Sequence, residues 1–253
     1  MSDSEEKMLN EELVNKYLND LSKELKKEFG RNKEFELIVV GGAAILLNYD
    51  FRASTTDIDA FISMGTSVKS AIYRVADKYG LSSDWLNSDF RLTSSYSPHL
   101  VRYSHFYKTY NQILTVRTIE GAYLIAMKLA SFRAYKRDKS DIIGILSEHQ
   151  KRGNAITYEQ IDKSVTELYG GWAIIDSDAK EYIKQVTSKE GYSYETVLKT
   201  EDENKVLLID FEKNYKNVLN EENLEDVLNA LRDKAEQKDT IIPVSPRTRR
   251  PRL

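Results

Sequence analysis

Phe35-Glu36-Leu37-Ile38-Val39-Val40-Gly41-Gly42-Ala43-Ala44 is followed a short way on by Thr55-Thr56-Asp57-Ile58-Asp59-Ala60-Phe61. The first stretch is rich in β-branched and aromatic residues and predicts a strand over 35–40. The glycine pair ends that strand and lets backbone amides come close to a phosphate at the start of a helix over 41–47. The second stretch predicts a strand over 57–62. Side chains alternate along a strand, so Asp57 and Asp59 share a face while Ile58 turns to the core. Asp is disfavoured in strands, and two of them running into an apolar segment call for compensation, which a divalent cation supplies. In a two-metal site the ions sit ~3.5–4 Å apart and clamp the attacking and leaving oxygens of an in-line displacement. The bland alternatives are a tight turn at the glycines and solvated acids at a strand edge. It is the pairing of the two features that points to a cation and phosphate site. No Gly-Lys-Ser/Thr follows the glycines, so this is not a Walker loop.

Working outward, apolar residues recur at fours from Leu9 to Phe29 with Lys and Glu between them, predicting an amphipathic helix over 5–29 that stops at Gly30. Residues 49–56 read as a polar loop carrying Arg52, and 67–78 as a helix stopped by Gly80. Residues 81–87 read as a loop in which Trp85 is a core anchor. Strands are expected over 100–107 and 112–118 around a Tyr110-Asn111 turn, then helices over 120–134, 138–149 and 158–169. Shorter helices are expected over 178–186 and 224–234, and 205–211 fits either a strand or a helix start. The fold class is α/β (α+β): a small mixed sheet flanked by helices, followed by a mainly helical C-terminal half. The expected division is an N-terminal helix at 1–30, a core at 31–118, a helical region at 119–240 and a disordered basic tail at 241–253.

Composition narrows the chemistry. The 253 residues, 41% of them hydrophobic, suffice for one sizeable core or a core plus a smaller helical unit. A net charge of -3 means that any anionic substrate must be met by a local patch. There is no cysteine, which excludes disulfides, thiolate zinc sites and a cysteine nucleophile in this sequence. That composition fits a reducing cytosol. The acidic start, Met1-Ser2-Asp3-Ser4-Glu5-Glu6, lacks the layout of a signal peptide, and no apolar run approaches the ~20 residues that span a bilayer. The expectation is a cytoplasmic protein without membrane contact. His99, His105 and His149 have no metal-binding spacing. Tyr103, Tyr107 and Tyr110 interleave with Arg102, His105 and Lys108, a mix that suits stacking on single-stranded bases as well as a half-exposed hairpin. The tail arginines Arg247, Arg249, Arg250 and Arg252 could touch RNA or be a solvated terminus.

The stretch Val40-Gly41-Gly42 … Thr56-Asp57-Ile58-Asp59 resembles the signature of the DNA polymerase β-like nucleotidyltransferase superfamily, a glycine pair or Gly-Ser followed by Asp-x-Asp. Ala126-Met127-Lys128-Leu129-Ala130-Ser131-Phe132-Arg133 … Arg137-Asp138-Lys139-Ser140-Asp141-Ile142-Ile143 resembles the second half of its AbiEii-like branch, which contains toxins of bacterial toxin–antitoxin and phage-defence systems. The resemblance covers about 35–146. It implies transfer of a nucleotide from a nucleoside triphosphate to an acceptor hydroxyl with Mg²⁺ (or Mn²⁺). The acceptor would be RNA, such as a tRNA end, and the partner a cognate antitoxin protein. On that pattern Asp57 and Asp59 hold metal, and Gly41, Gly42 and Ala43 contact the triphosphate through the backbone. Arg52 and Thr56 join the nucleotide-binding set, Lys128 neutralises triphosphate charge and Asp141 assists catalysis. Lys128 also stands out alone, because a lone ammonium on an apolar helix must be paired or snorkel; Asp138, Asp141 or a triphosphate could pair with it. The superfamily usually supplies a third carboxylate from a later strand. The candidate strand here, Ile113-Leu114-Thr115-Val116-Arg117-Thr118, has Arg117 and no acid. The alternative is therefore a catalytically impaired nucleotidyltransferase-like protein that binds a protein or nucleic-acid partner.

Overall fold

Helix α1 (Glu11–Phe29) begins where Asn10 accepts the Leu13 amide through its side chain, carries Glu11 and Glu12 in its first turn and Lys26 and Lys27 in its last, and ends at Gly30. Each of these features relieves unpaired backbone groups or the helix dipole at its own end. The face that it buries holds Val14, Tyr17, Leu18, Leu21 and Leu25. The computed structural model describes residues 7–62, 66–188, 192–220 and 223–239. The helix expected over 5–29 starts later, at Glu11, because Asn10 caps it and Leu9 instead pairs with Thr55 in a β-bridge; residues 5–6 and the tail expected over 241–253 lie outside the described residues.

Strand β1 (Phe35–Val39) leads through Gly41 into α2 (Gly41–Asn48), and β2 (Ile58–Phe61) into α3 (Thr66–Tyr79). Next come β3 (Leu86–Asn87), two 3-10 turns at Asp89–Leu92 and Pro98–Tyr103, β4 (Ser104–Tyr110) and β5 (Leu114–Ile119). The strands form one five-stranded sheet in the order β3-β2-β1-β5-β4. β1 is antiparallel to β2 and parallel to β5, β2 is parallel to β3, and β4 and β5 form an antiparallel hairpin. The mixed sheet of the sequence reading is thus observed.

Alternation divides the sheet into two unlike faces. Leu37, Val39, Ile58, Ala60, Leu114 and Val116 are wholly buried. α1 and α3 pack on each other, and Tyr17 of α1 meets Trp85 edge-on with the rings 5.9 Å apart. Trp85 is 2% exposed and donates its indole N–H to the Ile72 carbonyl, which makes it the core anchor expected of it. The opposite face is more open: Glu36 is exposed, and Asp59, Phe61, Thr115 and Arg117 are half-buried.

The remaining helices are α4 (Gly121–Ser131), α5 (Asp138–Lys151), α6 (Tyr158–Tyr169), α7 (Ser177–Ser188), α8 (Tyr194–Asn214) and α9 (Leu224–Asp239). One apolar cluster runs unbroken from the sheet into α4, α5, α6 and α7. Residues 205–211 lie inside α8, so the helix alternative holds there. The first hairpin strand starts later than expected because Pro98 opens a 3-10 turn. β3, read from the sequence as loop, is a strand of two residues, too short to carry a period.

Candidate active site

The glycine turn and the acids meet. The Val40 amide donates to the Asp59 carbonyl at 2.9 Å, which sets the end of β1 beside the second acid. Gly41 has φ +58, and a Cβ there would stand 3.5 Å from Asp59 Oδ2. A Cβ on Gly42 would stand 2.7 Å from Arg52 Nη2 and 3.1 Å from Thr55 Oγ1. The first position needs glycine for its left-handed backbone, the second for the close approach of a guanidinium. The N-cap of α2 is Val40, which has no side-chain acceptor to offer, and the first intrahelical bond is donated by the Ala44 amide. The amides of Gly41, Gly42 and Ala43 therefore start a helix with no cap, the arrangement that receives phosphate oxygens. Ala43 itself is buried.

Asp57 lies immediately before β2 and Asp59 within it. Thr56, exposed, donates its hydroxyl to Asp57 Oδ1 at 3.2 Å, and Asn87 donates its amide to Asp57 Oδ2 at 3.3 Å. Burial first, and the neighbouring Asp57 carboxylate second, push the Asp59 carboxyl up to about 7; Lys128 opposes the rise and Asp89 adds to it. Two neighbouring carboxylates present a donor set of hard oxygens suited to Mg²⁺ or Mn²⁺. Among the described residues no group of three or more His, Cys, Asp or Glu side chains is arranged to hold a metal. Mg²⁺ does not need one, since it binds through one or two carboxylates and completes its shell with water and substrate phosphates.

Lys128 on α4 is not a snorkelling lysine. It is buried, and its Nζ lies 2.9 Å from Asp138 Oδ1 and 2.8 Å from Asp141 Oδ2. Arg52 Nη1 closes on the same Asp141 Oδ2, and Arg133 donates to Asp138 Oδ2 from its Nε at 2.9 Å and its backbone amide at 3.0 Å. Burial disfavours the Lys128 charge, but Asp138 and Asp141 outweigh it and hold the ammonium above its ordinary range. Burial likewise works against Asp138, and Lys128 with Arg133 holds that carboxyl well below the usual carboxylate range. Asp141 Oδ1 is buried without a partner. The structure thus links Gly41 to Asp59, Gly42 to Arg52, Arg52 to Asp141 and Asp141 to Lys128, with Thr56 attached through Asp57. These three cations against Asp138 and Asp141 leave one positive charge in excess, next to the Asp57–Asp59 pair.

Because Arg52 is held by Asp141 and by the Ser54 carbonyl, at 3.2 Å from its Nε, it cannot swing freely away from a new methyl group. Gly42→Ala is therefore expected to lower triphosphate affinity about tenfold through displacement of Arg52, the scale of one hydrogen bond to a charged group. Titration with a triphosphate by calorimetry checks this; an unchanged affinity would remove Arg52 from the nucleotide-binding set.

Three features escaped the sequence reading. The strand beside β2 is β3, not β5, so the place where a third side chain can join the acids belongs to Asn87, in register with Asp59. Asp89 follows at the next turn, its amide bonded to Asn87 Oδ1 at 2.7 Å. Arg117 lies on the far side of β1 and is tied to Ser104 Oγ at 2.9 Å, so it takes no part in the site. Second, the hairpin tyrosines are occupied. Tyr103 stacks on Tyr123 at 3.8 Å, and Tyr107 and Tyr110 bond to Asn15 of α1. The half-exposed hairpin reading accounts for them.

Third, α8 braces the site. Tyr194 donates to the Phe51 carbonyl at 3.2 Å, beside Arg52, and Glu201 Oε1 accepts the amides of Lys139 and Ser140 in the first turn of α5 at 2.8 and 3.3 Å. Glu201 Oε2 has no partner. Burial raises the Glu201 carboxyl from 4.5 to about 7 despite those amides. The folded protein thus retains a proton that the unfolded chain releases, so stability falls as pH rises from about 4.5 to 7 and stays lower above. Glu201→Gln keeps the Oε1 acceptor without the charge. It is expected to be more stable than wild type at pH 8 by up to roughly 3 kcal/mol, with the gain vanishing near pH 5. Urea unfolding at the two pH values checks the sign.

The sheet, the uncapped helix start and the acid pair define a nucleotidyltransferase-like domain. A family model described as "Nucleotidyltransferase of unknown function (DUF6036)" matches residues 16–151, more than half of the chain, and the protein belongs to that family. No curated protein and no solved structure matches the chain.

Proposed function

We propose that the protein transfers a nucleotide from a nucleoside triphosphate to an acceptor hydroxyl, with Mg²⁺ or Mn²⁺ held by Asp57 and Asp59. The observation that carries this reading is the meeting of Asp59 with Gly41 and of Arg52 with Gly42 at an uncapped helix start. The amides of α2 hold phosphate oxygens, and Arg52 and Lys128 offset triphosphate charge from one side while Asp141 keeps both cations in place. Asp57 and Asp59 would hold Mg²⁺ or Mn²⁺, which would supply further charge neutralisation at the reacting centre. The acceptor oxygen bonds to the α-phosphorus as the bond to the β-phosphate oxygen breaks; pyrophosphate leaves and the hydroxyl proton passes to solvent. The residues contribute chiefly position and preorganised charge.

RNA, such as a tRNA end, is our acceptor of choice. A toxin-like role restrained by a cognate antitoxin rests on the resemblance of 126–133 and 137–143 to the AbiEii-like branch. Among the described residues no helix is long and apolar enough to cross a membrane. Incubation with labelled triphosphates, Mg²⁺ and total RNA tests the reading: label should enter RNA with wild type and not with the Asp57→Asn, Asp59→Asn double variant. The second reading, a binding protein of this fold without turnover, is favoured by Asn87 standing where an acid would complete the set. Triphosphate binding with no transfer to any acceptor would establish it.

A further inference from the structure

The network around Lys128 carries one positive charge more than its two acids, and exposure shows where that charge meets solvent. The Lys128 and Arg52 side chains are 11% and 10% exposed, that of Arg133 38%. Lys128 is shared between Asp138 and Asp141, and Arg52 commits its Nη1 to Asp141 and its Nε to the Ser54 carbonyl. Arg133 is tied along one edge only. Its Nε lies 2.9 Å from Asp138 Oδ2 and its Nη2 3.3 Å from Asp138 Oδ1, while among the described residues its Nη1 has no partner.

The backbone is bent to place it. α4 ends at Phe132, which has φ +37, in the left-handed region that a bulky residue rarely enters. The Phe132 amide closes on the Lys128 carbonyl at 2.8 Å, and the centre of its ring lies 4.6 Å from Lys139 Nζ in the first turn of α5. The next amide, that of Arg133, donates to Asp138 Oδ2 at 3.0 Å. Amide and guanidinium thus grip one buried carboxylate, which fixes a long side chain before any ligand arrives and lowers the entropy lost on binding. Backbone strain of this kind persists where the surroundings over-determine it, as at ligand clamps. The held guanidinium also feels the acid pair. Burial disfavours its charge, but Asp138, Tyr135 and Asp59 outweigh burial and hold it above its ordinary range. A guanidinium with one edge on a carboxylate and the other edge open offers donors in a fixed geometry that matches phosphate oxygens.

We propose, resting on the transferase reading above, that Arg133 is a further substrate-binding residue, whose open edge donates to a non-bridging phosphate oxygen of the nucleoside triphosphate held at Asp57 and Asp59. Lys128 is then a positioning residue for it, since it fixes the Asp138 carboxylate that holds Arg133.

The test is calorimetric titration of a non-hydrolysable nucleoside triphosphate with Mg²⁺ into wild type, Arg133→Lys and Arg137→Gln. Arg133→Lys keeps a cation for Asp138 but has no second arm. It should bind about tenfold more weakly, the scale of one hydrogen bond to a charged group, with a urea midpoint near that of wild type. Arg137 lies just before Asp138, is as exposed as Arg133 at 38% and pairs with Asp202 at 3.2 Å, so Arg137→Gln removes an equal charge nearby and should leave the affinity unchanged. A second readout separates contact from bracing and needs no variant to fold. Phenylglyoxal modification of wild type, mapped by mass spectrometry, should be blocked by the triphosphate at Arg133 and not at Arg137. Wild-type affinity in Arg133→Lys, an equal loss in Arg137→Gln, or modification of Arg133 that the triphosphate does not slow would each overturn the assignment. The two readings fail separately. Protection of Arg133 with no label transferred to any acceptor leaves the contact standing and removes the transferase. Transfer whose triphosphate KM ignores Arg133→Lys leaves the transferase standing and removes the contact. Wild type that binds no triphosphate removes both.

Discussion

Asp59→Asn is expected to lower nucleotide transfer at least about 100-fold, the scale of losing one preorganised group at a centre of developing charge, with no loss of fold. Stability and activity should separate at this position. The Asp59 carboxyl is pushed up to about 7 by burial and by Asp57, so its ionised form is disfavoured in the folded chain. Asparagine has nearly the same shape and no charge, and the backbone bond from the Val40 amide to the residue 59 carbonyl is untouched. Thermal unfolding without divalent cations should therefore show the variant at least as stable as wild type at pH 8, while the label-transfer assay shows the loss. Asp57→Asn should show a comparable loss of transfer. It keeps the size that Thr56 and Asn87 pack against, but removes half of the charge offered to a cation. Transfer by both single variants at wild-type rates would reduce the acids to structural residues.

Lys128→Met is expected to fail in the opposite way, in folding as well as in activity. Methionine matches the lysine stem and fits the apolar helix, so what the substitution isolates is the ammonium. Without it, Asp138 keeps Arg133 and Asp141 keeps Arg52, but both carboxylates lose a partner where water cannot replace it. Breaking a buried pair costs about 3–5 kcal/mol, and the surviving arginines place this variant near about 3 kcal/mol. The neutral-pH unfolding midpoint in urea should fall accordingly. Adding Asp138→Asn and Asp141→Asn should deepen the loss, because Arg133 and Arg52 are then left without a carboxylate partner. A variant as stable as wild type would mean that the ammonium reaches water in solution and that the network does not hold the cations against the site.

Much of the site could be read without coordinates because it is written locally. Val40-Gly41-Gly42 is a strand end and a helix start in consecutive residues, and Asp57-Ile58-Asp59 spans the residue before β2 and its first two residues. The helices 138–149 and 158–169 announced themselves by period and were found at Asp138–Lys151 and Tyr158–Tyr169. The partner of Lys128 stayed open at that level, since three ligands of opposite charge were compatible with it. Only packing α4 on α5 chose Asp138 and Asp141 together.

The sequence alone determined the mixed α/β class, the glycine turn and the acid pair, since each depends on alternation or backbone freedom within a few neighbouring residues. Tertiary structure alone decided which strand stands beside the acids, how α8 braces the loop of Arg52, and which cation of the Lys128 network stays exposed. A two-residue strand carries no repeat to detect, and its pairing is settled only when the sheet closes around Ile58. The bond from Tyr194 to Phe51 joins residues 143 positions apart, a contact that no local pattern encodes because it exists only once α8 docks beside the loop that follows α2.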